Sequence, residues 1–149
     1  MAYTQVIVGT DGSETAELAV RHAGRLAASA GARLVVLSAY ERTGDELARS
    51  QADDLPDDIR WTLTDRAQAE NLAARGRELA TAEGAPRVSV RAEAGQPAEV
   101  LIGAAKELTA DLIIVGSKGL TSPARYVLGS VAGSVAHHAP CDVLIVHTV

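Results

Sequence analysis

Gly116, Gly119 and the pair Gly129-Ser130 follow the spacing Gly-x2-Gly-x9-Gly-Ser, and they fall in a stretch that has no carboxylate, the thirty residues Leu112 to Cys141. Elsewhere the chain is acidic, with 19 Asp and Glu against 14 Lys and Arg and a net charge of −5. Freedom from acid, together with Lys118 and Arg125, suits a stretch that receives an anion. A helix opening at Ser130 strengthens that reading, because the first amides of a helix have no intrahelical acceptor and the dipole is positive there. Glycine at 116, 119 and 129 lets a backbone approach a ligand closely. The spacing is neither the Gly-x4-Gly-Lys-Ser/Thr of a P-loop nor the Gly-x-Gly-x-x-Gly of a dinucleotide fold. Ser130 also has a purely structural reading, as an N-cap.

A second loop, Gly9-Thr10-Asp11-Gly12-Ser13, also joins an apolar run to a helical pattern. Its charges oppose phosphate, since Asp11, Glu14 and Glu17 already complement the helix dipole. Asp11 is therefore a base or sugar ligand, with Mg²⁺ as the one metal it is expected to hold, or else a simple cap. His137 and His138 are adjacent, about 100° apart around a helix, so they do not face a single ion; they suit the C-terminal end of the dipole. Cys141 is the only cysteine, which excludes an intramolecular disulfide, a two-cysteine redox pair and a Cys-rich metal site. No nucleophile with a nearby base is evident, so no catalytic residue is assigned.

The elements that must position these residues are legible as alternation. Apolar runs at Val6 to Val8, Leu34 to Leu37, Val88 to Val90, Leu112 to Val115 and Val143 to Val146 read as strands. Between them, Ala16, Ala19, Ala23, Leu26, Ala27 and Ala30 repeat at helical spacing before Gly31, and further helices are predicted over Leu63 to Ala82, Pro97 to Leu108 and Ser130 to His138. Regular β-α-β alternation predicts an α/β fold, a five-stranded, doubly wound parallel sheet with helices on both faces. Ligands of such sheets bind beyond the C-terminal strand ends, here Gly9 to Ser13, Ala39 onward, Ala94 to Pro97 and Gly116 to Ser130. The Asp-rich stretch Glu41 to Arg60 reads as a mobile flap or a partly disordered loop.

The 149 residues suit one domain, 1–149, and a composition 47% hydrophobic, 3% aromatic and free of Phe calls for a core of Val, Leu, Ile and Ala. The negative charge and missing basic run speak against nucleic acid. Neither a signal peptide nor a membrane span is read, so a cytoplasmic protein with no membrane partner is expected.

The glycine spacing resembles the nucleotide-binding loop of the universal stress protein family. VIVGTDGS at Val6 to Ser13, SAY at Ser38 to Tyr40, AGQPAEVL at Ala94 to Leu101, ADLIIVGSKG at Ala110 to Gly119 and CDVLIVHT at Cys141 to Thr148 extend the resemblance along the chain. It implies a flavodoxin-like, adenine nucleotide alpha hydrolase-like sheet of strand order 3-2-1-4-5. It further implies a homodimer paired through Asp142 to Thr148, and a stress-response sensor or regulatory module that binds ATP, with AMP or cyclic AMP close behind. SAY and VLIVHT look most like an actinobacterial subgroup, some of whose members bind cyclic AMP. Carried over by residue, Thr10 and Asp11 lie beside the base or ribose, and Ala39 offers backbone atoms to the adenine edge. Gly116, Lys118 and Gly119 approach ribose and phosphate, while Gly129, Ser130 and Val131 supply amides to the phosphates. Tyr40 is placed to line the base pocket. Many ATP-binding members carry a Ser or Thr where this chain has Ala132, and one lost neutral hydrogen bond costs about 0.5–1.5 kcal/mol, which keeps AMP and cyclic AMP in competition with ATP. The alternative activity is a slow ATPase or autophosphorylating enzyme, with Asp11 on Mg²⁺ and Ser130 or Thr121 as phosphate acceptor.

Overall fold

The computed structural model describes residues 3–41, 65–117 and 128–147. Among the described residues strands and helices alternate: β1 (Gln5–Gly9), α1 (Glu14–Ala30), β2 (Arg33–Tyr40), α2 (Asp65–Ala82), β3 (Arg87–Ala94), α3 (Pro97–Leu108), β4 (Leu112–Gly116), α4 (Ser130–His138) and β5 (Asp142–Val146). The five strands form one parallel sheet in the order β3-β2-β1-β4-β5. The chain thus winds outward from β1 to one edge, returns past it to β4, and finishes at the other edge. The expected fold and strand order are both present.

Burial explains why these runs are strands and which way they face. Val6, Val8, Leu34, Val36, Leu112 and Ile114 pack on one side of the sheet against Ala19, Val20, Ala23 and Ala27 of α1 and Ala73 and Ala80 of α2. Ile7, Val35, Leu37, Ile113 and Val115 pack on the other against Val100, Leu101, Ala104 and Ala105 of α3 and Ala132 and Val135 of α4. Central strands covered on both faces read as unbroken aliphatic runs. Edge strand β3 departs from this: Val88 and Val90 pack toward the α1/α2 side, while Arg87 and Arg91 share the face of Arg33 and Leu37. There the Arg91 guanidinium pairs with Glu93 at 2.9 Å and Glu107 at 2.8 Å.

Small residues bring the helices close. A Cβ at Gly24 of α1 would lie 2.8 Å from the Cα and carbonyl oxygen of Ala80 in α2, so only glycine permits this approach. Local signals set the helix ends. The Ser13 hydroxyl accepts the Ala16 amide at 3.1 Å to start α1, and Gly31 ends it in the left-handed region at φ 67°. Pro97 stands in the first turn of α3.

β2 runs on to Tyr40 and β3 to Ala94, beyond the apolar runs Leu34–Leu37 and Val88–Val90. Backbone pairing, Ser38↔Ala92 through Tyr40↔Ala94, extends them where hydropathy had already ended.

Candidate functional site

The C-terminal strand ends carry two helix starts of opposite character. At the start of α1 the cap is filled by the chain's own side chains. The Asp11 carboxylate accepts the Ser13 amide at 3.0 Å and the Ser13 hydroxyl at 2.6 Å, and the Thr10 hydroxyl accepts the Gly12 amide at 3.1 Å. Glu14 and Glu17 stand in the first turn, and Glu17 also pairs with Arg75 at 3.0 Å. An anion would meet three carboxylates and a satisfied cap, so this loop is a poor phosphate site and a better edge for a hydroxyl-rich sugar.

The start of α4 is the reverse. Its N-cap is Gly129, without a side-chain cap hydrogen bond, and its first turn holds no acid. The leading amides of such a helix have no intrahelical acceptor. A specific closure holds this helix start against β4. The Gly129 amide donates to the Ser117 carbonyl at 2.8 Å, and the Ser117 amide donates to the Val146 carbonyl at 2.8 Å. Gly116, Gly129, Ser130 and Val131 are thereby brought to one place above β4. Ser117, at 7% exposure, is the hinge of this arrangement. Its only signal in the sequence is its position directly after the apolar run and Gly116.

Thr10 and Ala39 stand at neighbouring strand ends. The Thr10 amide donates to the Leu37 carbonyl at 2.9 Å, which ties the end of β1 to β2, and Ala39 packs on the α3/α4 side, the side of Val131 and Ala132. Tyr40 and Ala39 line a cleft of about 390 Å³ with Glu41, Asp65, Gln68, Ala69 and Leu72, on the flank of α2. Lys118, Gly119, Thr121 and Arg125 lie outside the described residues, as do most of the Glu41–Arg60 stretch and Thr148. Ala132 is buried at 1% exposure, so the hydroxyl this chain lacks there belongs to the covered side of α4; Ser130 is its exposed hydroxyl.

Among the described residues no group of three His, Cys, Asp or Glu side chains is placed to hold a metal ion, and Asp11 is the single metal candidate from the sequence. His137 and His138 are exposed at the end of α4, where the His138 ring meets the Ser134 carbonyl at 3.0 Å. Cys141 is a free, partly buried thiol packed against the α3/α4-side core, and burial, with Asp142 and Asp111 nearby, raises its pKa.

The model of the universal stress protein family matches residues 2–147. The chain belongs to the universal stress protein family. Universal stress protein Rv1636 of Mycobacterium tuberculosis is 38% identical over 147 residues, 99% of this chain and 98% of the relative. Among solved structures, a universal stress protein in complex with cAMP is 34% identical with a TM-score of 0.74, covering all of both chains. Universal stress protein UspA from Lactobacillus plantarum shares the fold with a TM-score of 0.81 at 24% identity, over 98% of this chain and 99% of that one. In this universal stress protein the end of β4 lies beside the end of β1 at the topological switch point, where the two strands lead to opposite edges and ligands of doubly wound sheets are held.

Proposed function

We propose that this universal stress protein binds an adenine nucleotide across the ends of β4, β1 and β2, and acts as a stress-response sensor or regulatory module. The observation that carries the reading is the start of α4, with no acid in its first turn and, among the described residues, no side-chain cap, closed onto β4 through the Gly129–Ser117 hydrogen bond. The phosphates lie on the amides of Ser130 and Val131 with the Ser130 hydroxyl, beside Gly116 and Gly129; the Gly129 amide, expected from the sequence to join them, is instead held by the Ser117 carbonyl, and the loop residues Lys118 and Gly119 complete that end. Thr10 and Asp11 face the ribose, with Asp11 the group that would hold Mg²⁺, and the backbone of Ala39 meets the adenine edge. ATP is the first choice of ligand, with AMP and cyclic AMP close behind; the related protein solved with cAMP supports the adenine class. The fit to a nucleotide rests on chemistry already described: a phosphate-receptive helix start two strand spacings, about 10 Å, from the end of β2.

The working unit proposed is a homodimer joined through the edge strand β5, Asp142 to Thr148. Val143, Leu144, Ile145 and Val146 are all only partly buried and carry apolar side chains to both faces.

Calorimetric titration with ATP, AMP and cyclic AMP tests the ligand. At least one is expected to bind, and Ser130→Asp is expected to weaken it at least tenfold while the thermal midpoint holds or rises. The added carboxylate complements the α4 dipole but repels phosphate. Unchanged affinity in that variant places the phosphate elsewhere.

A further inference from the structure

We infer that the Gln96 side chain reads the base of the bound nucleotide and selects a 6-aminopurine; this rests on the nucleotide reading above. Gln96 occupies the N-cap position of α3, where Ser, Thr, Asp or Asn would satisfy a leading amide. It makes no side-chain cap hydrogen bond and is exposed. A residue that breaks the local capping preference, with no structural gain in exchange, marks a place to look for function.

Its position supplies the function. The Gly95 amide donates to the Tyr40 carbonyl at 2.9 Å, which fastens the β3–α3 turn directly beside Ala39 and Tyr40 at the end of β2. Gly95 has φ 136°, a value that favours glycine and fixes the direction in which the chain enters α3. α3 lies on the same side of the sheet as α4 and the Ala39 side chain. A nucleotide whose phosphate sits at Gly129 and whose sugar passes Thr10 therefore brings its base to Ala39 on the α3 side, where Gln96 is next in line. Gln68, the other glutamine near Ala39, shares a cleft with Ala39 and Tyr40 but stands on α2, the helix that packs on the α1 face of the sheet.

The chemistry is that of an amide against a purine edge. A glutamine amide accepts from the N6 amino group and donates to N7 of adenine at once. Against a 6-oxopurine the same edge presents two acceptors, and the amide oxygen loses its donor.

The test compares AMP with IMP, which differ at that amino group, by calorimetric titration of the full chain and of Gln96→Ala, Gln96→Ser and Gln68→Ala. The wild type is expected to favour AMP over IMP. Gln96→Ala and Gln96→Ser are expected to lose about tenfold of that preference, and Gln68→Ala to keep it. Gln96→Ser separates recognition from structure, since serine caps the helix better and should hold or raise the thermal midpoint while the preference falls. A preference unchanged in both Gln96 variants, or lost in Gln68→Ala instead, overturns the inference. If the wild type binds neither nucleotide nor ATP, the nucleotide reading has itself failed, an outcome distinct from binding with an unaltered preference.

Discussion

Asp111 shows how one side chain can hold two elements in register. It lies just before β4, yet its carboxylate accepts the Thr4 amide at 2.9 Å, the Thr4 hydroxyl at 2.9 Å and the Gln5 amide at 3.1 Å. The Asp111 amide in turn donates to the Gln5 carbonyl at 3.0 Å. Partial burial alone would raise the pKa of the carboxyl, but the hydrogen bonds from Thr4 and Gln5 outweigh it and hold the pKa below its ordinary value of 3.8. A carboxylate whose pKa is lower folded than unfolded contributes stability above pH 3.8, and loses that contribution as pH falls through the folded value. Asp111→Asn is expected to cost about 1–2 kcal/mol at pH 7, reduced from the full value of charged hydrogen bonds because solvent reaches the site. Urea denaturation at pH 7 and at pH 3 checks this, and the gap between variant and wild type should narrow at the lower pH. An equal gap at both would mean that the ionised form carries no special weight. Nothing in the sequence separates Asp111 from any other acid before a strand, since its partners lie more than a hundred positions away.

At the scale of elements, most of the architecture is legible because period and punctuation agree. Unbroken aliphatic runs mark the inner strands, and Gly31 and Pro97 stand where α1 ends and α3 begins. What escapes the sequence is set by tertiary pairing: the reach of β3 to Ala94, and the closure of α4 onto Ser117 through a backbone hydrogen bond that any residue but proline could make. The acid-free stretch behind the proposed anion site is legible in the sequence, whereas the uncapped state of Gln96 is set by how the β3–α3 turn folds. The approach of α1 to α2 offers a test at this scale. With Ala80 backbone atoms 2.8 Å from the missing Cβ, Gly24→Val cannot be relieved by turning a side chain. It should cost more than about 2 kcal/mol by overpacking, measured as a lower denaturant midpoint. Gly103→Ala in α3, where the added methyl meets nothing within 4 Å, should instead gain up to about 1 kcal/mol from helix propensity.

For the whole molecule, the decisive contrast is between its two sheet edges. On one face β3 presents Arg87, Ser89, Arg91 and Glu93, charged and polar groups of the kind that keep an edge from pairing with another chain. β5 carries no such guard after its first residue. That residue, Asp142, is bound by the Tyr3 hydroxyl at 2.9 Å, and Val143 to Val146 follow with apolar side chains toward both helix layers. An unguarded apolar edge suits a second copy of the same strand, because antiparallel pairing about a twofold axis satisfies the backbone of both edges at once. Since Ser117 donates to the carbonyl of Val146, a dimer through β5 would also stiffen the strand end that supports the start of α4. Leu144→Lys places a charge in the middle of that edge while leaving Gly129, Ser130 and Ala39 untouched. Sedimentation is expected to show a dimer for the wild type and a monomer for the variant. The variant should retain its far-UV circular dichroism and bind nucleotide with an affinity reduced by no more than about tenfold. A monomeric wild type would remove β5 as an interface, whereas a monomeric variant that binds no nucleotide would make pairing a condition of the site.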